Sequence, residues 1–227
     1  MTTNDSSPGP APLPPIAALR IDYHRGQLLE SDADPDPLRQ FASWFAEAGR
    51  SGVEEPNAMT VSTVNPEGGV SSRILLLKGL DDTGFQFFTN RSSRKGAQLA
   101  ADSRSSLGFF WPSLQRQVNV EGVTELLPDS ESDAYFASRP YASRIGAWVS
   151  EQSAVIPGRD WLDRREAEFR ARFPENAPVP RPPHWGGYRL VPLRIEFWQG
   201  RPSRLHDRLL YARDSPAAPW QRSRLSP

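Results

Sequence analysis

Hydrophobic positions along the chain change period several times, and each change predicts a different element. Over 36–48 the stretch PLRQFASWFAEA sets Leu38, Phe41, Trp44 and Phe45 at helical spacing. This is the apolar face of an amphipathic helix, with Asp34 or Asp36 available before it as a cap. In AMTVSTVNPEGGVSSRILLLKGLDDTGFQFFTN, β-branched and apolar residues alternate around two groups of turn residues, 65–69 and 81–84. That period of two predicts three antiparallel strands. A short helix is expected over 93–101, strands over SLGFFWP and RQVNVEGVTELL, a second capped helix over 130–138 and a third helix over 161–173. FPENAPVPRPPHWGG is too rich in proline for regular structure. YRLVPLRIEFWQ and RLHDRLLYAR close the chain as a hairpin turned at 200–203. Short antiparallel strands with interspersed helices indicate an α+β or mostly β barrel, not a parallel Rossmann sheet.

Composition narrows the function. With 227 residues, no internal repeat and no mid-chain shift, one domain over 19–227 is expected, behind a proline- and serine-rich arm, 1–18, expected to be disordered. The arm has neither the basic start nor the apolar stretch of a secretion signal, and no apolar run approaches the roughly 18 residues of a membrane span. A soluble cytoplasmic protein is the expectation. Basic and acidic residues balance at 27 each, so no net field draws the chain to nucleic acid or a membrane, and anion binding must be local. The absence of cysteine removes disulfides, thiolate ligands and a thiol nucleophile. His24, His184 and His206 lie far apart in sequence, so no metal site is expected. GxGxxG and GxxxxGKS are both absent, which leaves side chains and helix ends to hold any nucleotide phosphate.

Four clusters carry more cation than a neutral core needs. In SRLHDRLL, Arg204, His206 and Arg208 alternate and would share one strand face, with Trp198 approaching the same turn: a wall for an anion, or an exposed basic face. In TNRSSRKGAQLA, Arg94 and Lys95 occupy the first turn of a predicted helix, where the dipole disfavours cations unless an anion is bound. Ser92 and Ser93 could cap that helix or bind the anion. SRILLLK puts Arg73 and Lys78 at the ends of a buried-looking strand, on opposite faces, which suits two anions better than one; both could equally snorkel to solvent. In SESDAYFASRPYAS, Tyr135 and Arg139 are one helical turn apart with Ser143 just past the proline, a phosphate clamp or an ordinary helix end. Together they suggest one or more phosphorylated small ligands.

IEFWQGRPSRLHDR resembles the signature of the pyridoxamine 5'-phosphate oxidase family, and the resemblance extends through EPNAM, SRILLLKG, GFQFFTNRSSRKG, RQVNVEG, YFASRP, IGAWVSEQS, WGGY and RLSP. It covers nearly everything from Arg20 to Pro227. It implies a split β-barrel homodimer that binds FMN at the subunit interface, with 185–227 as the dimerisation region. FMN contacts implied by the resemblance are Arg73, Ile74, Leu75, Leu76, Leu77, Lys78, Phe88, Thr89, Arg94, Lys95, Gln117, Gln152, Ser153, Trp198 and Arg208. The implied substrate site is Lys78, Tyr135, Arg139 and Ser143 at the phosphate, Arg20 and Tyr23 closing over it, and Arg204 and His206, the implied catalytic pair, facing the pyridine ring. The implied reaction takes a hydride from C4' of pyridoxine or pyridoxamine 5'-phosphate to the flavin, with oxygen returning the flavin to its oxidised state. Arg144 departs from the family, which more often has glutamine there, and adds a cation near the clamp. A flavin oxidase of the phenazine-biosynthesis type shares the fold but would have no use for the substrate-phosphate set. A non-catalytic module that stores or senses flavin is a third reading.

Overall fold

The computed structural model describes Leu19 and residues 21–227. Arg20 and the arm over 1–18 lie outside the described residues. Helix α1 (Pro37–Arg50) forms where the apolar period predicted it: Asp36 caps it by accepting from the Leu38 N–H at 2.8 Å, and Pro37 opens the first turn. Its inner face of Leu38, Phe41, Trp44 and Ala48 packs into the concave side of an antiparallel sheet.

The sheet is built from β1 (Ala58–Val64), β2 (Val70–Leu76), β3 (Gly79–Asp81), β4 (Gly84–Asn90), β5 (Arg104–Trp111), β6 (Arg116–Leu126), β7 (Trp185–Gln199), β8 (Asp207–Ala212) and β9 (Gln221–Arg224). Its order is β2-β1-β5-β6-β7-β4-β3, with β8 and β9 branching from β7. The 15 residues of β7 make this possible: its first half pairs with β4 and its second half with β8, while β6 runs along most of its length. All pairings are antiparallel. The result is the split β-barrel, mostly β with α, that the sequence implied. Its core joins α1 to Phe85, Phe109, Trp111, Phe197 and Tyr211.

A second apolar cluster sits beside the barrel, where α3 (Asp129–Ser138), α4 (Tyr141–Val149) and α5 (Arg159–Arg172) bury Phe136, Ile145, Val149 and Phe169 against Trp185 at the start of β7. The remaining helix, α2 (Arg94–Ala101), follows β4 and contacts β1.

Several expectations need correction. The segment read as three strands holds four, because the turn at 81–84 closes the short β3–β4 hairpin. β2 is not buried: it pairs only with β1 as a sheet edge, and Val70 and Ile74 are 70% and 64% exposed. Lys78 lies beyond its end. Pro140 ends α3 but also starts α4, which the sequence reading did not foresee, so Ser143 is helical and Arg139 is the capping residue between the two helices. No side chain caps α3, whose first turn holds Asp129 and Glu131 against the helix dipole instead. Arg204 and His206 are not on a strand face. They occupy a turn in which Ser203 and Arg204 both have left-handed backbone, φ 56° and 63°, and β8 begins only at Asp207.

Candidate active site

The start of α2 is built around cations. Ser93 accepts from the Gly96 N–H at 3.3 Å and donates to the Asn90 carbonyl at 2.7 Å, which fixes the helix entry. Lys95, 7% exposed, turns inward and donates to Gln152 Oε1 at 2.7 Å, Thr89 Oγ1 at 3.1 Å and Ser93 Oγ at 3.2 Å. Ser153 has left-handed backbone, φ 78°, and its hydroxyl accepts from the Arg94 N–H at 3.2 Å. Arg73 reaches the same place from β2, held by Thr63 Oγ1 at 2.7 Å, Ser71 Oγ at 2.8 Å and the Val61 carbonyl at 3.1 Å. A cavity of about 400 Å³ opens between Arg73, Ile74, Leu75, Arg94, Lys95, Gln152 and Ser153.

None of Arg73, Arg94 and Lys95 forms an ion pair among the described residues. Burial, and then the Arg73 charge, pushes Lys95 down to about 8, while burial followed by Arg94 lowers Arg73. Arg73 repels both Arg94 and Lys95, and with no carboxylate to offset them this cavity could hold an anion in a chain of zero net charge.

A second cavity of about 490 Å³ shares Ile74, Leu75 and Gln152 with the first and brings together Lys78, Tyr135, Arg139 and Ser143. One wall is an aromatic stack, Tyr135 on Phe88 at 4.0 Å and Phe88 on Trp185 at 5.5 Å. The Arg139 guanidinium lies 4.8 Å from the centre of the Trp185 ring, and its Nη1 is buried without a hydrogen-bond partner. Burial lowers its pKa, and an anion in this cavity would supply the missing acceptor. The residues read as a clamp from residue types thus line one cavity, drawn from two helices and a loop instead of one helix face. Arg144 does not line this cavity. Leu77 is also absent from both cavities: its side chain is in the barrel core, and its N–H donates to the Asn57 carbonyl at 2.8 Å.

The remaining candidates gather on a different surface. Trp198 on β7 stands between Gln117 on β6 and Arg208 on β8 in one cross-strand row that continues to Phe110 on β5. Arg208 is neutralised by a two-point pair with Glu196, 2.7 and 3.0 Å, and also donates to the Ser226 carbonyl at 2.9 Å. His206 packs on Trp198 at 4.5 Å, and Tyr23 meets both rings at 5.8–5.9 Å. A cavity of about 620 Å³ is lined by Tyr23, Arg204 and His206. Burial, then Arg204, lowers the His206 pKa, and its Nδ1 accepts from the Arg201 backbone N–H at 3.1 Å. Neutral His206 therefore carries its proton on Nε2 and presents a donor. In one chain this surface and the two cation cavities have no lining residue in common.

Residues 45–173 match the family model described as pyridoxamine 5'-phosphate oxidase. A pyridoxine/pyridoxamine 5'-phosphate oxidase of Cupriavidus necator is 58% identical over 212 residues, 93% of this chain and 99% of the relative. The chain belongs to the pyridoxamine 5'-phosphate oxidase family. Residues 185–227, which hold β7 to β9 and the Arg204 turn, match the family's C-terminal dimerisation region. The oxidase of the same description from Burkholderia vietnamiensis is 60% identical over 213 residues, again 93% and 99% of the two chains. Among solved structures, PhzG from Burkholderia lata, crystallised with tetrahydrophenazine-1-carboxylic acid, superposes with a TM-score of 0.82 at 32% identity, covering 88% of this chain and 98% of that one.

The sequence reading passed over Ser71 and Trp185, which line the two cation cavities, and Gln98 and Thr63, which hydrogen-bond Arg73 behind the first of them. The one available signal was Gln98, a polar residue three positions after Lys95 on the inward face of α2.

Proposed function

We propose that this chain is an FMN-dependent oxidase that converts pyridoxine and pyridoxamine 5'-phosphates to pyridoxal 5'-phosphate, as a homodimer with FMN held between the subunits. Oxygen is reduced to hydrogen peroxide, and the amine substrate also takes up water and releases ammonia. The observation that carries the reading is the pair of adjoining cavities, each with cations that lack carboxylate partners. One suits the flavin phosphate and the other a substrate phosphate. When bound, the flavin supplies the hydride acceptor. Arg73, Arg94 and Lys95 hold its phosphate, and Lys78, Tyr135, Arg139 and Ser143 anchor the substrate, which fixes the reacting carbon by its far end. As the hydride leaves C4', the proton of its hydroxyl or amine substituent passes to solvent; Arg204 stabilises the negative charge developing there, and His206 acts as an Nε2–H donor, because its Nδ1 lone pair is occupied by the Arg201 N–H.

The interface site rests on the separation of the two surfaces and on register. Val70 and Ile74 share a face of β2 that continues through Thr60 and Gly108 to the face of Phe110, which is 56% exposed. This face, in which Ser62, Ser72, Asn119 and Glu196 alternate with the exposed apolar residues, also carries Gln117, Trp198 and Arg208. A second copy covering it would bring its own Arg204 turn to the cation cavities of the first. Mixing inactive Arg139→Ala and Arg204→Ala chains, unfolded and refolded together, is then expected to recover about a quarter of wild-type activity, since half the dimers are mixed and each mixed dimer has one intact site. A mixture as inactive as its components would show that both residues act in one chain.

The direct test of the reaction is anaerobic addition of pyridoxine 5'-phosphate to the flavin-loaded protein. Bleaching of the flavin absorption is expected; a flavin that stays oxidised would remove the oxidase reading. The likeness to PhzG keeps a phenazine-type substrate as a second reading, and the assembled phosphate clamp, with its unpartnered Arg139 Nη1, favours the phosphorylated substrate. A cytoplasmic location belongs to the same proposal, as does the division into an arm over 1–18 and one folded unit over 19–227. Among the described residues no helix is long and apolar enough to cross a membrane.

Lys95 makes FMN binding pH-dependent. A phosphate beside it raises its pKa from about 8, so the complex holds more protons than the free protein at alkaline pH. FMN affinity is expected to be level near pH 7 and to fall as pH rises above about 8, by up to roughly ten-fold per unit. Fluorescence titrations between pH 7 and 9.5 check this, and a flat profile would contradict the role of Lys95.

A further inference from the structure

β1, β2 and α2 meet around one buried amide. Gln98 is 4% exposed, and its Oε1 accepts from Thr63 Oγ1 at 2.6 Å, Ser71 Oγ at 2.9 Å and Arg73 Nη2 at 3.4 Å. Thr63, fully buried, in turn accepts from Arg73 Nη1 at 2.7 Å. All the hydrogen-bond partners of this guanidinium are thus neutral oxygens. The charges acting on its surroundings are cations, Arg94 and Lys95. Several other partly buried arginines are held by carboxylates, Arg116 by Glu47, Arg189 by Asp81 and Glu125, and Arg208 by Glu196, whereas Arg73, like Arg213, has neutral oxygens alone. Glutamate would fit the space at 98 equally well, since it differs from glutamine by one atom at the same position.

We propose that Gln98 is a positioning residue that holds the Arg73 guanidinium in place without neutralising it, leaving its charge for the flavin phosphate. The inference rests on reading this cavity as the FMN phosphate site. A neutral acceptor orients the fork and cancels none of its field, whereas a carboxylate would form an internal ion pair and compete directly with the ligand.

Two variants and two ligands test it, with apoprotein melting temperature and flavin fluorescence quenching as readouts. Gln98→Glu is expected to leave the melting temperature unchanged or raised and to weaken FMN binding about ten-fold or more, with riboflavin binding unaffected. Gln98→Met, which supplies no carboxylate, is expected to melt lower and yet keep more FMN affinity than Gln98→Glu. That crossing of stability and affinity is what a merely structural role cannot produce. The proposal is overturned if Gln98→Glu binds FMN like wild type, if its FMN and riboflavin affinities fall together, or if it does not fold. Wild-type protein that fails to prefer FMN over riboflavin would instead overturn the phosphate-site reading itself.

Discussion

Arg204→Ala is expected to lower turnover by about a hundred-fold or more while FMN binding changes less than about two-fold. The side chain is exposed and makes no ion pair among the described residues, so its loss removes little packing, and stability should stay within about 0.5 kcal/mol. Alanine and arginine meet a similar steric penalty at the left-handed φ of 63°, so the substitution deletes the guanidinium without changing the demands on the turn. Glycine would relax the backbone as well and confuse the two effects. Arg204 also lowers the His206 pKa, second to burial, so the variant should shift His206 upward. Steady-state kinetics and a histidine titration by NMR check both statements. Unchanged turnover would take Arg204 out of the mechanism.

Lys95→Met should have the opposite signature, with most of its effect on the cofactor. Lys95 is buried with three neutral acceptors and no carboxylate, an arrangement that costs desolvation in the free protein and is offset when an anion arrives. Removing it should weaken FMN binding by about 2–4 kcal/mol, roughly 30- to 1000-fold, and leave the apoprotein as stable as before or more so. Arg94→Ala, at an exposed position, should act in the same direction and less strongly, near 1 kcal/mol. Fluorescence titration with FMN together with apoprotein melting separates the cases. A Lys95→Met protein that retains full flavin through gel filtration would contradict the phosphate assignment.

The contrast between Lys95 and Arg208 refines the cofactor set implied by resemblance. Lys95 keeps its charge available, whereas Arg208 is paired with Glu196 and anchored to the Ser226 carbonyl near the chain end. Its expected role toward the flavin is therefore directional hydrogen bonding from a neutralised guanidinium. Charge alone in the sequence did not separate these cations, because their partners come from other strands.

Much of the local structure was legible from residue order. The spacing of Leu38, Phe41 and Trp44 and the Asp36 cap specify α1, since a 3.6-residue period and an orphan N–H are properties of one segment. The alternation in β4 to β6 and the position of Arg94 and Lys95 at a helix start are local in the same sense. Tertiary structure decided what those segments meet. β2 looked buried because its residues are apolar, but burial depends on having a second neighbour, and as an edge strand it has one. The Arg204 and His206 alternation looked like a strand because period alone does not register the two left-handed residues that break it. Gln98 became a partner of Arg73 only when α2 docked on β1 and β2, a contact 25 residues away along the chain. The sequence by itself determined α1 with its cap, the strands β4 to β6 and the supply of cations; the fold decided which cations were left without carboxylates, because ion pairing depends on long-range placement that no local period encodes.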